Sequence, residues 1–150
     1  MKTSKIIGLL ISVVQLVSAV GLVIGMHAML GVFATALPSG EQGIDIQYTD
    51  PVVIPFTLTP TNNGFIEASM SVKVGMIVNG VEVASDSATV VVPPGSTVPV
   101  ELELSIAQAD ALEYFQSATD LKWETDISVT TLYNLISFSN HMVIEGGVQQ

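Results

Sequence analysis

From Ile6 to Gly40 the chain carries no charged side chain, a run of 35 residues rich in Leu, Val, Ile, Ala and Gly. A helix needs about 20 largely apolar residues to cross about 30 Å of hydrocarbon. At about 1.5 Å per residue, Ile6 to Leu37 reaches roughly 48 Å, so a helix over this run overshoots the bilayer. The excess predicts one of three arrangements. The helix tilts, its last turns stand beyond the lipid, or its length serves a packed assembly of similar helices.

Lys2 and Lys5 stand just before the run. The 113 residues after Leu37 hold only Lys73 and Lys122 against all 14 carboxylates, a formal charge of −12. Basic flanks stay in the cytoplasm, which predicts a single-pass protein with its N-terminus inside and its acidic part outside the membrane. An acidic surface of this kind repels nucleic acid and anionic headgroups and attracts cations or basic protein surfaces. The expected partners are therefore membrane lipid through the helix and other membrane or envelope proteins, including further copies of this chain.

Two other readings compete for the same residues. Ala34-Thr35-Ala36 has the small-x-small form that signal peptidase cuts. Secretory apolar regions run roughly 7 to 15 residues, however, and this one is about twice as long, which favours an uncleaved anchor. The arrangement also resembles archaeal type IV pilin precursors, in which a short charged leader precedes a long hydrophobic helix. In this chain Lys5 is followed by Ile6-Ile7-Gly8, not by the small residue expected at the cut.

Small and weakly polar residues recur along the run at spacings of three and four. Gly8, Ser12, Gln15, Ser18, Gly21, Gly25, Ala28 and Gly31 fall on one slowly drifting face, continued by Thr35. Such a face lets another helix approach closely, Gly21 and Gly25 form a GxxxG pair, and Gln15 or Ser18 can hydrogen-bond to a partner. These residues are the expected helix-packing site. His27 has no acidic neighbour in sequence and is expected as a neutral ring bonded to a carbonyl or to interfacial water.

The pattern changes after Leu37. Residues 1–37 read as the membrane-spanning helix, 38–43 (with Pro38-Ser39-Gly40) as a linker, 44–145 as a β-domain and 146–150 as a loose tail. Ile66, Ala68, Met70, Val72, Val74, Met76 and Val78 are apolar at every even position, which predicts a strand with one wet face. Asn79-Gly80 is a type I′ turn signal, so the chain returns through Val81 and Val83. Asp86 to Val92 either continues that strand or follows it. Pro93-Pro94-Gly95 makes a turn before Val98, Val100, Leu102 and Leu104 alternate with Glu101 and Glu103.

Ser105 with Gln108 has capping-box spacing and predicts a short helix ending near Ser117, with Ala111, Leu112 and Phe115 facing the core. Trp123, Ile127, Val129 and Tyr133 mark a long strand, and Leu135 to Ile144 a last one. Some seven strands with short turns and one short helix predict a mainly β fold, an antiparallel immunoglobulin- or fibronectin-III-like sandwich behind one transmembrane helix.

The segment Ile54-Pro55-Phe56-Thr57-Leu58-Thr59-Pro60-Thr61-Asn62-Asn63 carries a family resemblance. So do the Ile66 to Val78 strand, Asn79-Gly80-Val81-Glu82-Val83-Ala84 and the Pro93-Pro94-Gly95-Ser96-Thr97 turn. Over roughly residues 44–145 the chain resembles the late-embryogenesis-abundant type 2 domain, also called the water-stress and hypersensitive-response domain. The resemblance implies a fibronectin-III-like sandwich, often hung from one N-terminal membrane helix.

Side-chain chemistry is sparse. Without Cys there are no disulfides or thiolate sites, and without Arg there is no bidentate anion clamp. His27 and His141 are far apart in sequence, no phosphate-binding loop occurs, and no serine has a nucleophile-elbow setting. The pairs Glu101 with Glu103 and Glu124 with Asp126 project two residues apart from one strand face, the spacing of a hard-cation or acid/base pair. Alternation on a solvated face produces the same spacing and is the simpler explanation. Asp45 and Asp50 likewise lack a calcium-loop pattern, and there is no Asn-x-Ser/Thr sequon. The expectation is a non-enzymatic structural or accessory protein with no catalytic, metal or cofactor residues. A pilin-like filament subunit, with hydrophobic helices in its core, is the alternative.

Overall fold

The computed structural model describes residues 3–37, 47–117 and 120–145. The linker 38–43 and the tail 146–150 lie outside them. Helix α1 runs unbroken over Thr3–Ala36 and is followed by β1 (Val52–Leu58), β2 (Ala68–Val78), β3 (Val81–Val92) and β4 (Val100–Ile106). A short helix α2 (Gln108–Ser117) precedes β5 (Leu121–Thr131) and β6 (Ile136–Glu145). All pairings are antiparallel. One sheet has the order β3-β2-β5-β6, and the other is the pair β1-β4. The fold is mainly β and sandwich-like, built from six strands among the described residues rather than the seven or so the alternation suggests. The shortfall arises because Val81–Val92 is one continuous strand.

Strand β2 follows its pattern closely. Ala68, Met70, Val72, Val74, Met76 and Val78 are all buried, and the two residues after it turn with φ of 51° at Asn79 and 80° at Gly80. Their mirror-image turn matches the strand twist, which is why Asn-Gly closes the β2–β3 hairpin. A bulge between Met76 and Ile77 shifts the register of that hairpin. Strand β4 pairs with β1 and alternates without interruption, burying Val100, Leu102, Leu104 and Ile106 in the core.

Ser105 does not cap a helix. It pairs with Val53 inside β4, and α2 opens later, with Ala111 N–H donating to Ala107 O at 2.9 Å. Ile106 explains the delay, because staying in the strand buries its side chain and pairs it with Val52. Tyr133 also falls outside its expected strand. β5 ends at Thr131, and Tyr133 projects from the following turn.

Two strands cannot cover four. The remainder of the inner face of the larger sheet is covered by α1, whose Met29, Val32 and Ala36 are buried in the same core as β2, β4 and β5. Phe33 meets Phe138 of β6 edge-on at a centroid distance of 4.7 Å. Phe56 of β1 and Trp123 of β5 make a similar contact at 5.8 Å between the sheets. Thr61 N–H donates to Thr35 Oγ1 at 2.7 Å, which fixes the top of the helix to the β1–β2 connection. The helix therefore has two halves. Residues from Lys5 to Val23 are largely exposed, and the segment Gly25 to Ala36 is docked on the sandwich.

A single polar side chain organises the end of the sandwich near the helix. Asn62 is fully buried. Its Nδ2 donates to Ile66 O and Val92 O, both at 2.8 Å, while its Oδ1 accepts from Gly64 N–H at 2.9 Å. Its backbone N–H donates to Ser96 O and its carbonyl accepts from Gly95 N–H. One residue thus ties the β1–β2 connection to the end of β3 and to the turn that follows.

Candidate functional site

The small-residue face of α1 divides between two uses. Gly8, Ser12, Gln15 and Ser18 are exposed, and Ser12 returns its hydroxyl to Gly8 O at 3.0 Å. Gly21 is half-buried and has no neighbour where a side chain would begin. Gly25, Ala28 and Gly31 meet the protein's own domain instead of another helix. Gly25 faces Thr131, Leu132 and Ile136, Ala28 lies against Gly64, and Gly31 faces the backbone of Thr61 and Asn63. Close approach is what small residues permit, and a sheet edge exploits it as a helix does. His27 is stacked on Phe65, with ring centroids 6.5 Å apart.

The expected carboxylate pairs have different settings. Glu101 and Glu103 alternate outward from β4, and the Glu103 backbone N–H donates to Asp86 Oδ2 at 2.9 Å, joining β4 to β3 across the sheets. Glu124 and Asp126 project from the outer face of β5, and β6 brings His141 directly opposite Asp126. His141 Nδ1 is 2.7 Å from Asp126 Oδ1, and its Nε2 is 3.4 Å from Glu124 Oε1. Lys73 pairs with Asp126 from the other side in register, while its Nζ contacts Glu82 at 2.6 Å. That contact, and then the Ser85 hydroxyl, hold the Glu82 carboxyl below the usual carboxylate range.

His141 was invisible as a partner in the linear sequence. The signal that finds it is register. Once the β5–β6 turn is placed at residues 132–135, position 141 must face position 126. Glu124, Asp126 and His141 converge closely enough to raise the question of a metal. The geometry favours a different use. A metal takes one ring nitrogen and gathers the carboxylates around it, whereas here each nitrogen faces its own carboxylate. That is how an imidazolium is held between two acids. The hydrogen bond to Asp126, reinforced by the charges of Asp126 and Glu124, raises the His141 pKa from its ordinary 6.5 against a smaller opposing effect of desolvation.

A raised histidine pKa means that the folded protein binds the proton more tightly than the unfolded chain does. The associated stability is fully present below about pH 6.5 and is lost as pH rises through the folded-state pKa. The edge strand β6 should therefore exchange its amide protons faster above that point, after correction for intrinsic exchange. Proton NMR of the His141 ring should report a midpoint above 6.5, and Asp126→Asn should return it toward 6.5. A midpoint unmoved by that substitution would show that the pair does not form in solution.

No protein-family model and no curated protein matches the chain. Among solved structures it is similar to a protein from Archaeoglobus fulgidus, with 15% identity and a TM-score of 0.47 over 70% of this chain and 93% of that one. A protein from Arabidopsis thaliana known from its solution structure has 13% identity and a TM-score of 0.41, over 73% of this chain and 78% of that one. A β-glucuronidase of glycoside hydrolase family 2 has 11% identity and a TM-score of 0.41, over 67% of this chain and 11% of the enzyme. Likenesses of this degree lend the chain neither a family nor an activity.

Proposed function

We propose that the protein is a non-enzymatic, membrane-anchored structural protein that holds an acidic β-sandwich rigidly against the outer surface of a membrane for contacts with other envelope or membrane proteins. The division of α1 carries this reading. Ile6 to Ile24 is 19 residues, about 28 Å of helix, close to the thickness of a hydrocarbon core. The length that would overshoot a bilayer is the length docked on the sandwich through Ala28, Met29, Val32 and Ala36. Lys2 and Lys5 orient the N-terminus to the cytoplasm. Gly8, Ser12, Gln15 and Ser18 remain available to neighbouring helices within the lipid. The sandwich itself we read as related to the late-embryogenesis-abundant type 2 domain, on the Ile54 to Asn63 segment and the two turns that resemble it.

One observation favours the pilin-like alternative. Met26 and Leu30 on the docked half of α1, and Leu37 just beyond its end, face outward, exposed by 43%, 52% and 37%, above the level that lipid would cover. In a filament, helices of neighbouring subunits would bury this stripe. Shearing intact cells and locating the chain by mass spectrometry separates the two readings. Recovery in washed membranes with residues 1–5 retained is the expected result. Recovery in sheared fibres with a trimmed N-terminus would replace the anchor by the filament.

A further inference from the structure

The two loops that surround the point where α1 leaves the sandwich have an unusual make-up. The β5–β6 turn places Leu132, Tyr133 and Asn134 in succession at φ of 51°, 54° and 66°, closed by Leu135 N–H donating to Leu132 O at 3.1 Å. Asn accepts this left-handed conformation readily, but Leu and Tyr rarely adopt it. A turn that only had to reverse the chain would use Asn-Gly, as the β2–β3 turn does. This one instead displays Tyr133 at 100% and Leu135 at 83% exposure. Across the helix, the β1–β2 connection displays Phe65 at 78%.

Single exposed apolar side chains are ordinary on protein surfaces. These are gathered at one level of the molecule. Thr131 Oγ1 donates to Gly25 O at 3.3 Å, Leu132 packs beside Gly25, and Phe65 stacks on His27. Both loops therefore sit within one helical turn of the end of the uncovered apolar segment. Residues 59–66 and 131–136 contain no charged side chain in a domain of net charge −12, and Glu67 lines a cleft together with Leu132, Tyr133 and Asn134 of the turn.

We infer that Phe65, Leu132, Tyr133 and Leu135 form a collar that enters the headgroup zone of the bilayer around the emerging helix. The inference rests on the reading of Ile6 to Ile24 as a membrane span, which puts the level of Gly25 to His27 at the lipid surface. Tyrosine suits that zone because its ring is apolar and its hydroxyl remains hydrated. A rim segment without charged side chains also approaches headgroups at little electrostatic cost, although the domain as a whole is acidic. The matching surface is a zwitterionic bilayer.

The absence of native cysteine allows a direct test in the full chain. Leu16→Cys, Val81→Cys and Leu135→Cys each replace an exposed side chain and leave the core intact. Each variant is labelled with a nitroxide and reconstituted in phosphatidylcholine vesicles. Collision with oxygen and with a water-soluble nickel chelate is then measured by power-saturation electron paramagnetic resonance. The label at 16 should be shielded from nickel, the label at 81 freely accessible, and the label at 135 severalfold less accessible to nickel than that at 81. A label at 135 as accessible as that at 81, with 16 still shielded, would overturn the collar and leave the span standing. Free access at 16 would remove both.

Discussion

Asn62→Ala should destabilise the sandwich by about 3–5 kcal/mol, because it strips the partners from three backbone groups at once and each orphaned buried group costs about 1–3 kcal/mol. The groups are Ile66 O, Val92 O and Gly64 N–H. Domains of this size are stable by only about 5–15 kcal/mol, so the variant should approach the limit of folding. Asn62→Asp should do no better. A carboxylate keeps the acceptor for Gly64 but loses both N–H donors and sets negative charge against two carbonyl oxygens. Urea unfolding of the full chain in detergent, followed through Trp123 at the sheet interface, gives the difference directly. A loss under about 1 kcal/mol would mean that water replaces the amide, contrary to its complete burial.

The second large effect belongs to Gly64. A Cβ added there would lie 2.5 Å from Ala28 Cβ, 2.6 Å from its Cα and 3.0 Å from its N. Two of those three atoms are helix backbone, so α1 itself must shift. Overpacking of this kind costs typically about 1–3 kcal/mol. Gly64→Ala should show that loss together with faster proteolysis and amide exchange over Gly25 to Ala36 as the helix undocks. Gly25→Ala makes a useful contrast. Its nearest obstacle, at 2.6 Å, is the tip of the Ile136 side chain, which can rotate away. The Gly25 variant should be the milder of the two, and equal effects would mean that the helix is held less tightly than these contacts imply.

Local chemistry made most of the sandwich legible. The even-numbered apolar residues of β2 and the Asn79-Gly80 turn depend on neighbours in sequence, and they fold as the period of two requires. What escaped was long-range. The spacing of Gly25, Ala28 and Gly31 says that something packs closely there, but a helix face of small residues looks the same to a sheet edge as to another helix. Ser105 and Gln108 satisfy a capping pattern locally, yet the pairing of Ile106 with Val52 outweighs it. The alternation that carries Trp123 to Val129 would extend to Tyr133, but the chain turns first. The His141 contacts depend wholly on strand register, which only the position of that turn determines.

The unbroken course of α1 also governs how the sandwich can be aimed in the proposed anchored protein. Met29, Val32 and Ala36 belong to the core of the sandwich, and Ile24 continues from that docked segment into the uncovered half without a break in the helix. The domain therefore has no swivel of its own. A roll of the span about its axis turns the face bearing Glu124, Asp126 and His141 through the same angle, and a lean of the span leans that face with it. If α1 is the proposed span, neighbours that grip Gly8 to Ser18 would set the compass bearing of an acidic surface that they never touch.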